Sequence, residues 1–281
     1  MFRIICAHKT DALWDNYGYE SLGGVVVRTA ANRLESEAFF DREHYETWRT
    51  WIVQHRHADA NAEQLSDWFQ AEAQLLASFV ADTLTVLASE YNGSSGHQPK
   101  LLDLGCGTGD DIVEVSLTHP SLHASGVDII ESNIRRANVK IHDADLASRV
   151  TLVLGDAATL IEFGDEEFDM AICMTNTLGN MTTEKQESCL QRLRDVLTPG
   201  GRALISVYSP ASVPARIASY KAIGLHVQER QGCLLATEGL RSQHFDPSAL
   251  RALVERCGLV VCDDIHHVSA VGLAAVVRPA N

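Results

Sequence analysis

The sequence predicts an α/β fold in which a mostly parallel sheet lies between layers of helices, and three observations carry that prediction. From about Leu101, short apolar runs alternate with stretches of helical spacing, the pattern of strands joined by crossover helices. A glycine turn, "LLDLGCGTGDD" at 101–111, joins the first run to a helix start. Near the C-terminus, "GLVVCDDIHHV" and "AVGLAAVVRP" stand too close together for a crossover, so they form an antiparallel hairpin.

Seven strands follow from this pattern. Five are parallel, read from "KLLDLG", "HASGVDII", "RVTLVLGD", "EFDMAICM" and "RALISVYS". The terminal hairpin supplies the other two. The helix in "TEKQESCLQRLRDVLTPGG" is capped at Thr183 and ended by Pro199-Gly200-Gly201. The segment 90–100, rich in Gly, Ser and Pro, divides the chain. Before it, Asn61 and Gln64 resemble a capping box, and Leu65, Trp68, Phe69, Leu75, Leu76, Phe79, Val80, Leu84 and Leu87 form one apolar helical stripe. Residues 1–98 thus read as an N-terminal helical region and 99–281 as the sheet domain. Within the latter, 209–250 is an insertion after strand five, with a hairpin turning at Gln231-Gly232 and a helix capped by Asp246.

The chain has 37 acidic and 23 basic residues among 281, a formal charge of −14. That surface argues against a nucleic-acid partner, which requires a basic face. Seven cysteines occur without a CxxC pair, which reads as free thiols in a reducing compartment. Cys106, inside the glycine turn, reads as a small packed residue. No signal peptide is visible and no apolar run approaches the ~20 residues of a membrane span. The expected setting is the cytoplasm, with no membrane partner and no metal. The pair His266-His267 reads as surface, since no second set of metal ligands accompanies it.

A dinucleotide fingerprint, GxGxxG, would need glycine at 110, where this chain has Asp110. The acidic pair Asp110-Asp111 would oppose a pyrophosphate and suits a ligand with positive charge. No GK[ST] follows, so a Walker loop is excluded.

"LLDLGCGTGDD" resembles motif I of the class I S-adenosylmethionine-dependent methyltransferases, whose domain is Rossmann-like. "GVDII", "LGDAATL", "FDMAICMTNTLGN" and "LTPGGRALIS" follow in the order of that family, so the resemblance covers about residues 99–208 and the terminal hairpin. It implies S-adenosylmethionine as cofactor. It also implies that Asp103, Gly105, Gly107 and Asp110 border its methionine part, that Asp128 meets the ribose, that Asp156 with Ala157 meets the adenine, and that Thr108 and Ile129 bind the same cofactor. Met174, at the end of the fourth strand, borders the same ligand. Asp103 has a second reading, as a brace for the loop that never touches ligand.

The resemblance further implies methyl transfer to a small-molecule acceptor: an amine, thioether, carboxylate or hydroxyl. Because the sulfonium methyl is already activated, the enzyme supplies mostly alignment. Two alternatives stay open, namely use of another carbon of the cofactor and a non-catalytic binding module. The loop after strand four lacks the [DN]PP[FYW] pattern of many nucleobase and protein amide methyltransferases. Candidate catalytic or acceptor-contacting residues are Asn176, Tyr208, Tyr17 and His244, with Thr175, Thr177, Asn180, Tyr220 and Glu238 as further candidates for substrate contact. The motif region supplies no evident general base. Trp14, Tyr17 and Tyr19 beside Gly23-Gly24 make residues 1–60 either a lid or a homodimer interface.

Overall fold

The computed structural model describes residues 18–22, 25–29, 44–90, 97–236 and 239–280, with side chains from residue 44 onward. The first elements are strands β1 (Gly18–Leu22) and β2 (Val25–Thr29) and helices α1 (His44–His55) and α2 (Ala60–Glu90). Strand and helix then alternate through β3 (Lys100–Leu104), α3 (Asp110–Thr118), β4 (His123–Asp128), α4 (Glu131–Asp143) and β5 (Val150–Leu154). After β6 (Phe168–Cys173) come α5 (Thr183–Val196), β7 (Leu197–Tyr208) and α6 (Val213–Ala222). The insertion carries β8 (Val227–Arg230), β9 (Cys233–Ala236) and β10 (Arg241–Gln243). Helix α7 (Pro247–Arg256) and strands β11 (Leu259–Val261), β12 (His266–Val268) and β13 (Gly272–Pro279) complete it.

The main sheet runs β1-β2-β5-β4-β3-β6-β7-β13-β11, with β12 also paired to β13. Strands β3 to β7 are parallel, and β13 is antiparallel to β7. The expected five-plus-two arrangement is present, its outer position shared by β11 and β12, which follow one another along β13. The β1–β2 hairpin extends the sheet beyond this, with β2 parallel to β5. This strand content in a region read as helical lies in the β-branched run Val25-Val26-Val27 meeting the otherwise open β5 edge. Sequential order reverses beside β3, so the crevice for a ligand opens over the carboxyl ends of β3 and β6.

Successive side chains on a strand point to opposite faces, and Leu101 and Leu102 accordingly enter two different cores. The first core joins Trp48 of α1 and Leu65, Trp68 and Leu76 of α2 to Leu101 and Ile112. Residues 44–90 therefore pack as one body with the sheet. The second core places α5 and α7, through Leu190 and Leu253, against Leu102, Leu104 and Val127.

Two caps precede the expected residues, and the Asn61–Gln64 capping box does not form because Asn61 already lies inside the helix. Asp59 accepts hydrogen bonds from the Asn61 and Ala62 N–H groups at the start of α2, and Thr182, one residue before Thr183, caps α5. Pro199-Gly200-Gly201 belongs to β7, where pairing with β6 shifts register, and α5 already ends at Val196. The hairpin turn at Gln231 (φ 49°) and Gly232 (φ 76°) and the Asp246 cap of α7 stand as expected. Helix α2, with 31 residues, is long and apolar enough to cross a membrane by length and composition, contrary to the expectation that no such run exists. Its stripe is spent in the core, where Leu65, Trp68 and Val80 are fully buried.

Trp68 packs against the Gly272 backbone, leaving no room for a Cβ there, and meets Tyr208 with ring centroids 4.2 Å apart and planes tilted by 42°. Trp68→Ala is expected to destabilise the protein by ~3–5 kcal/mol, the cost of emptying a large buried site, as measured by urea unfolding followed by circular dichroism.

Candidate active site

A cavity of about 960 Å³ opens over the carboxyl ends of the strands, walled by α1 and α2 on one side and by β9, β10 and the loop before β10 on the other. Its floor is the turn between β3 and α3. Gly105, Gly107 and Gly109 all have positive φ (74°, 51° and 78°), a conformation open mainly to glycine. Their surroundings differ. A Cβ at Gly109 would meet the Ala137 Cβ at 2.9 Å, so this glycine lets α3 lie close on α4. A Cβ at Gly107 would meet nothing and would project into open space.

Asp128, at the end of β4, fixes this floor. Its Oδ2 accepts from the Gly107 N–H at 2.9 Å, and its Oδ1 accepts from the Ile130 N–H at 2.8 Å and from the Asn133 amide at 3.3 Å. Asp156, after β5, accepts from the Ala158 N–H and pairs with Lys185 at 2.6 Å.

The cavity wall bears eight carboxylates against the three cations Arg49, Lys185 and Arg241. Burial raises the Asp103 pKa well above the usual range, and Asp111 and Asp128 add to it. One Asp103 oxygen, Oδ2, is buried with no hydrogen-bond partner, a state that buried polar groups seldom keep without a ligand. Burial raises Asp111 too, against the pull of Arg49, with Asp110 and Glu114 adding. Asp128 is raised by burial against its three donors. Asp110 is different: exposed and held by Lys140 at 2.5 Å, it is largely neutralised. Of the pair 110–111, Asp110 thus faces Lys140, while Asp111 stands at the cavity beside Arg49, with Asp103 adding to the acidic floor.

The loop after β6 forms the back wall. Thr175 and Asn176 both have positive φ (52° and 61°), a strained pairing for residues with side chains. Asn176 holds it in place, accepting from the Tyr208 N–H at 3.0 Å and donating to Ser242 at 3.1 Å. The turn aims the Thr175 N–H (3.1 Å) and hydroxyl (3.2 Å) at the Glu72 carboxylate, which also accepts from Ser206. Glu72 is 4% exposed and lines the cavity. Burial pushes its pKa up to about 8, against the Ser206 hydrogen bond, with Asp111 adding to the rise.

Asp103, Gly105, Gly107, Thr108, Asp110, Asp128, Ile129, Asp156, Ala157 and Met174 all line this cavity, as do Thr175, Thr177 and Asn180. Three of the catalytic candidates do not. Asn176 is 1% exposed and serves as the fastener just described. Tyr208 is 2% exposed, its ring held between Trp68 and the Arg216 guanidinium, 4.1 Å away. His244 does not line the cavity and lies 3.7 Å from Glu229 of β8, with burial and Arg216 lowering its pKa against Glu229. Tyr220, stacked on Trp48 at 5.4 Å, is likewise packing. Trp14, Tyr17 and Glu238, and the side chain of Tyr19, lie outside the described residues. Burial pushes the Cys106 thiol well up, with Asp103 and Asp128 adding, which suits its reading as packing. His266 and His267 are exposed, and no cluster of metal ligands occurs among the described residues.

The sequence reading missed Tyr45, Glu46, Arg49 and Glu72, all on the helices before the glycine turn. A signal existed for Glu72: it is the one acid on the α2 stripe, four residues from both Trp68 and Leu76.

Residues 101–201 match a family model described as a methyltransferase domain. The ubiquinone/menaquinone biosynthesis C-methyltransferase UbiE of Klebsiella pneumoniae is 27% identical over 187 residues, 63% of this chain and 72% of that protein. UbiE of Yersinia enterocolitica is 31% identical over 57% of this chain and 65% of its own length. The CcbJ methyltransferase of Streptomyces caelestis superposes with a TM-score of 0.55 at 19% identity, over 75% of this chain and 96% of its own. The 1,6-didemethyltoxoflavin-N1-methyltransferase of Burkholderia thailandensis, solved with 1,6-didemethyltoxoflavin and S-adenosylhomocysteine, gives 0.54 at 16% identity over 95% and 100%. The structural likenesses concern the fold.

Asp128→Ala removes the acceptor that fixes the Gly107 loop. It is expected to weaken S-adenosylmethionine binding by ~1–3 kcal/mol, the range for losing charge-assisted hydrogen bonds, as read by titration calorimetry; unchanged affinity would refute its assignment to this ligand.

Proposed function

The chain carries a class I S-adenosylmethionine-dependent methyltransferase domain, and from that premise we propose that it methylates a small, planar ring compound whose reacting atom carries a proton. One observation carries this reading: a single cavity joins an acidic floor to an apolar wall. The residues present fit the cofactor. Gly107 leaves open space for a ligand, Asp103 Oδ2 is buried and unpartnered, and the carboxylate excess suits a cation.

In this proposal Asp103 and Asp111 would face the methionine part, Asp128 and Ile129 the ribose, and Asp156 with Ala157 the adenine. Bound S-adenosylmethionine supplies a methyl group activated by its sulfonium. The protein's part is to hold the acceptor in line with it and to exclude water. Phe69, Ala73, Met181, Leu235 and Leu240 give the acceptor compartment its apolar wall, which suits a ring and not a polyanion. The names of the relatives, one of ubiquinone/menaquinone biosynthesis and one solved with 1,6-didemethyltoxoflavin, support a ring substrate. The six described cysteines are all free thiols, which fits a reaction in the reducing cytoplasm.

Incubating the protein with S-adenosylmethionine and a panel of naphthalenediols, catechols and N–H heterocycles should release S-adenosylhomocysteine together with a methylated ring, both read by mass spectrometry. Methylthioadenosine as the product, or no turnover with cofactor bound, would contradict the proposal.

A further inference from the structure

The apolar stripe of α2 carries one acid into the cavity, between Phe69 and Ala73 of the same helix, which line it too. Glu72 is fixed there by three donors from one loop and one strand: the Thr175 N–H and hydroxyl from the loop after β6 and the Ser206 hydroxyl from β7. The strained turn at Thr175-Asn176 exists in the form that presents two of them. A carboxylate positioned this firmly at the junction of the acidic and apolar compartments is built for more than packing.

We propose that Glu72 is the proton acceptor of the transfer reaction, taking the proton that the acceptor's reacting atom loses on methylation. This rests on the methyl-transfer reading above. An electron pair of the reacting atom forms the bond to carbon, and the carbon–sulfur pair stays on sulfur. The proton of the reacting atom passes to a Glu72 oxygen. A cation and a carboxylate thus become a neutral thioether and a neutral carboxylic acid, and charge balances without any further reagent.

The titratable groups facing Glu72 are Tyr45 from α1, Asp111 from α3 and Tyr208 from β7, with Arg49 of α1 beside Asp111. Burial holds the carboxyl near pKa 8, so in the free protein it is mostly protonated at neutral pH. A sulfonium in the cavity favours the charged form. Cofactor binding therefore expels a proton and arms the base. S-Adenosylhomocysteine, with the same amine and carboxylate but no sulfonium charge, does not.

Titration calorimetry in phosphate and in Tris at pH 7.5 counts the protons. The wild type should release roughly half a proton more with S-adenosylmethionine than with S-adenosylhomocysteine, given a downward shift of about one unit across that pH. In Glu72→Gln the difference should vanish while both ligands bind within about threefold of the wild type. Its turnover on a naphthalenediol accepted by the wild type should fall by ~10²–10⁴-fold, the usual share of a general base, with loss of the pH dependence below 8. Glu72→Asp, which keeps a carboxylate, should retain the proton release and serves if the Gln variant does not fold. An undiminished proton difference or unchanged turnover in Glu72→Gln would overturn the proposal, as would equal loss of binding for both ligands. If the wild type releases no S-adenosylhomocysteine with any acceptor, the methyl-transfer reading fails instead, and the proton count still reports on the carboxylate.

Discussion

Four carboxyl groups, the buried Asp103, Asp128 and Glu72 and the half-buried Asp111, gather at the carboxyl end of the sheet, and loss of solvation raises the pKa of each. Carboxylates crowded in a site shielded from water repel one another and lose solvation, which favours protonation or a cation in their midst. Two of the four are well supplied with donors: Glu72 from Thr175 and Ser206, and Asp128 from the Ile130 N–H and from the Gly107 N–H of the turn that floors the cavity. The site therefore couples its own shape to its charge. The carboxylate that holds the Gly107 loop in place belongs to the same acidic group that would favour a positively charged ligand.

The surrounding structure keeps this group in register. Asp103 and Asp128 end adjacent parallel strands and so lie on one rim. Asp111 comes from the first turn of α3, and the sharp entry to that helix depends on Gly109 packing against Ala137. Glu72 arrives from a helix far away in sequence, held by Trp68 against Gly272 and Tyr208 in the same core. Packing that looks remote from chemistry thus sets where the fourth carboxyl stands.

Much of the fold was legible because its signals are local. Alternating apolar runs marked the five parallel strands, the short gap marked the terminal hairpin, and Gln231-Gly232 and Asp246 marked a turn and a cap. The floor of the cavity was legible for the same reason, since the glycine turn and Asp128 lie within one strand–helix–strand unit. Glu72 was hidden by distance: it meets Thr175 across 103 residues of chain, and only the packing of α2 on the sheet brings them together. Tyr208 and His244 misled in the opposite direction. Their chemistry suggests catalysis, but a phenol between Trp68 and Arg216 and an imidazole beside Glu229 are fixed by their neighbours away from the cavity. Local sequence carries no information on that burial.

A crystal structure of the protein with S-adenosylmethionine tests the central claim most directly, that this acidic floor is a sulfonium nucleotide site. The account predicts density crossing Gly107, with ribose hydroxyls within hydrogen-bond distance of Asp128, the adenine beside Asp156, and the sulfonium on the side of the cavity where Asp103, Asp111 and Glu72 converge. A nucleotide bound elsewhere, or bound here with its sulfonium turned away from these carboxyl groups, would contradict it.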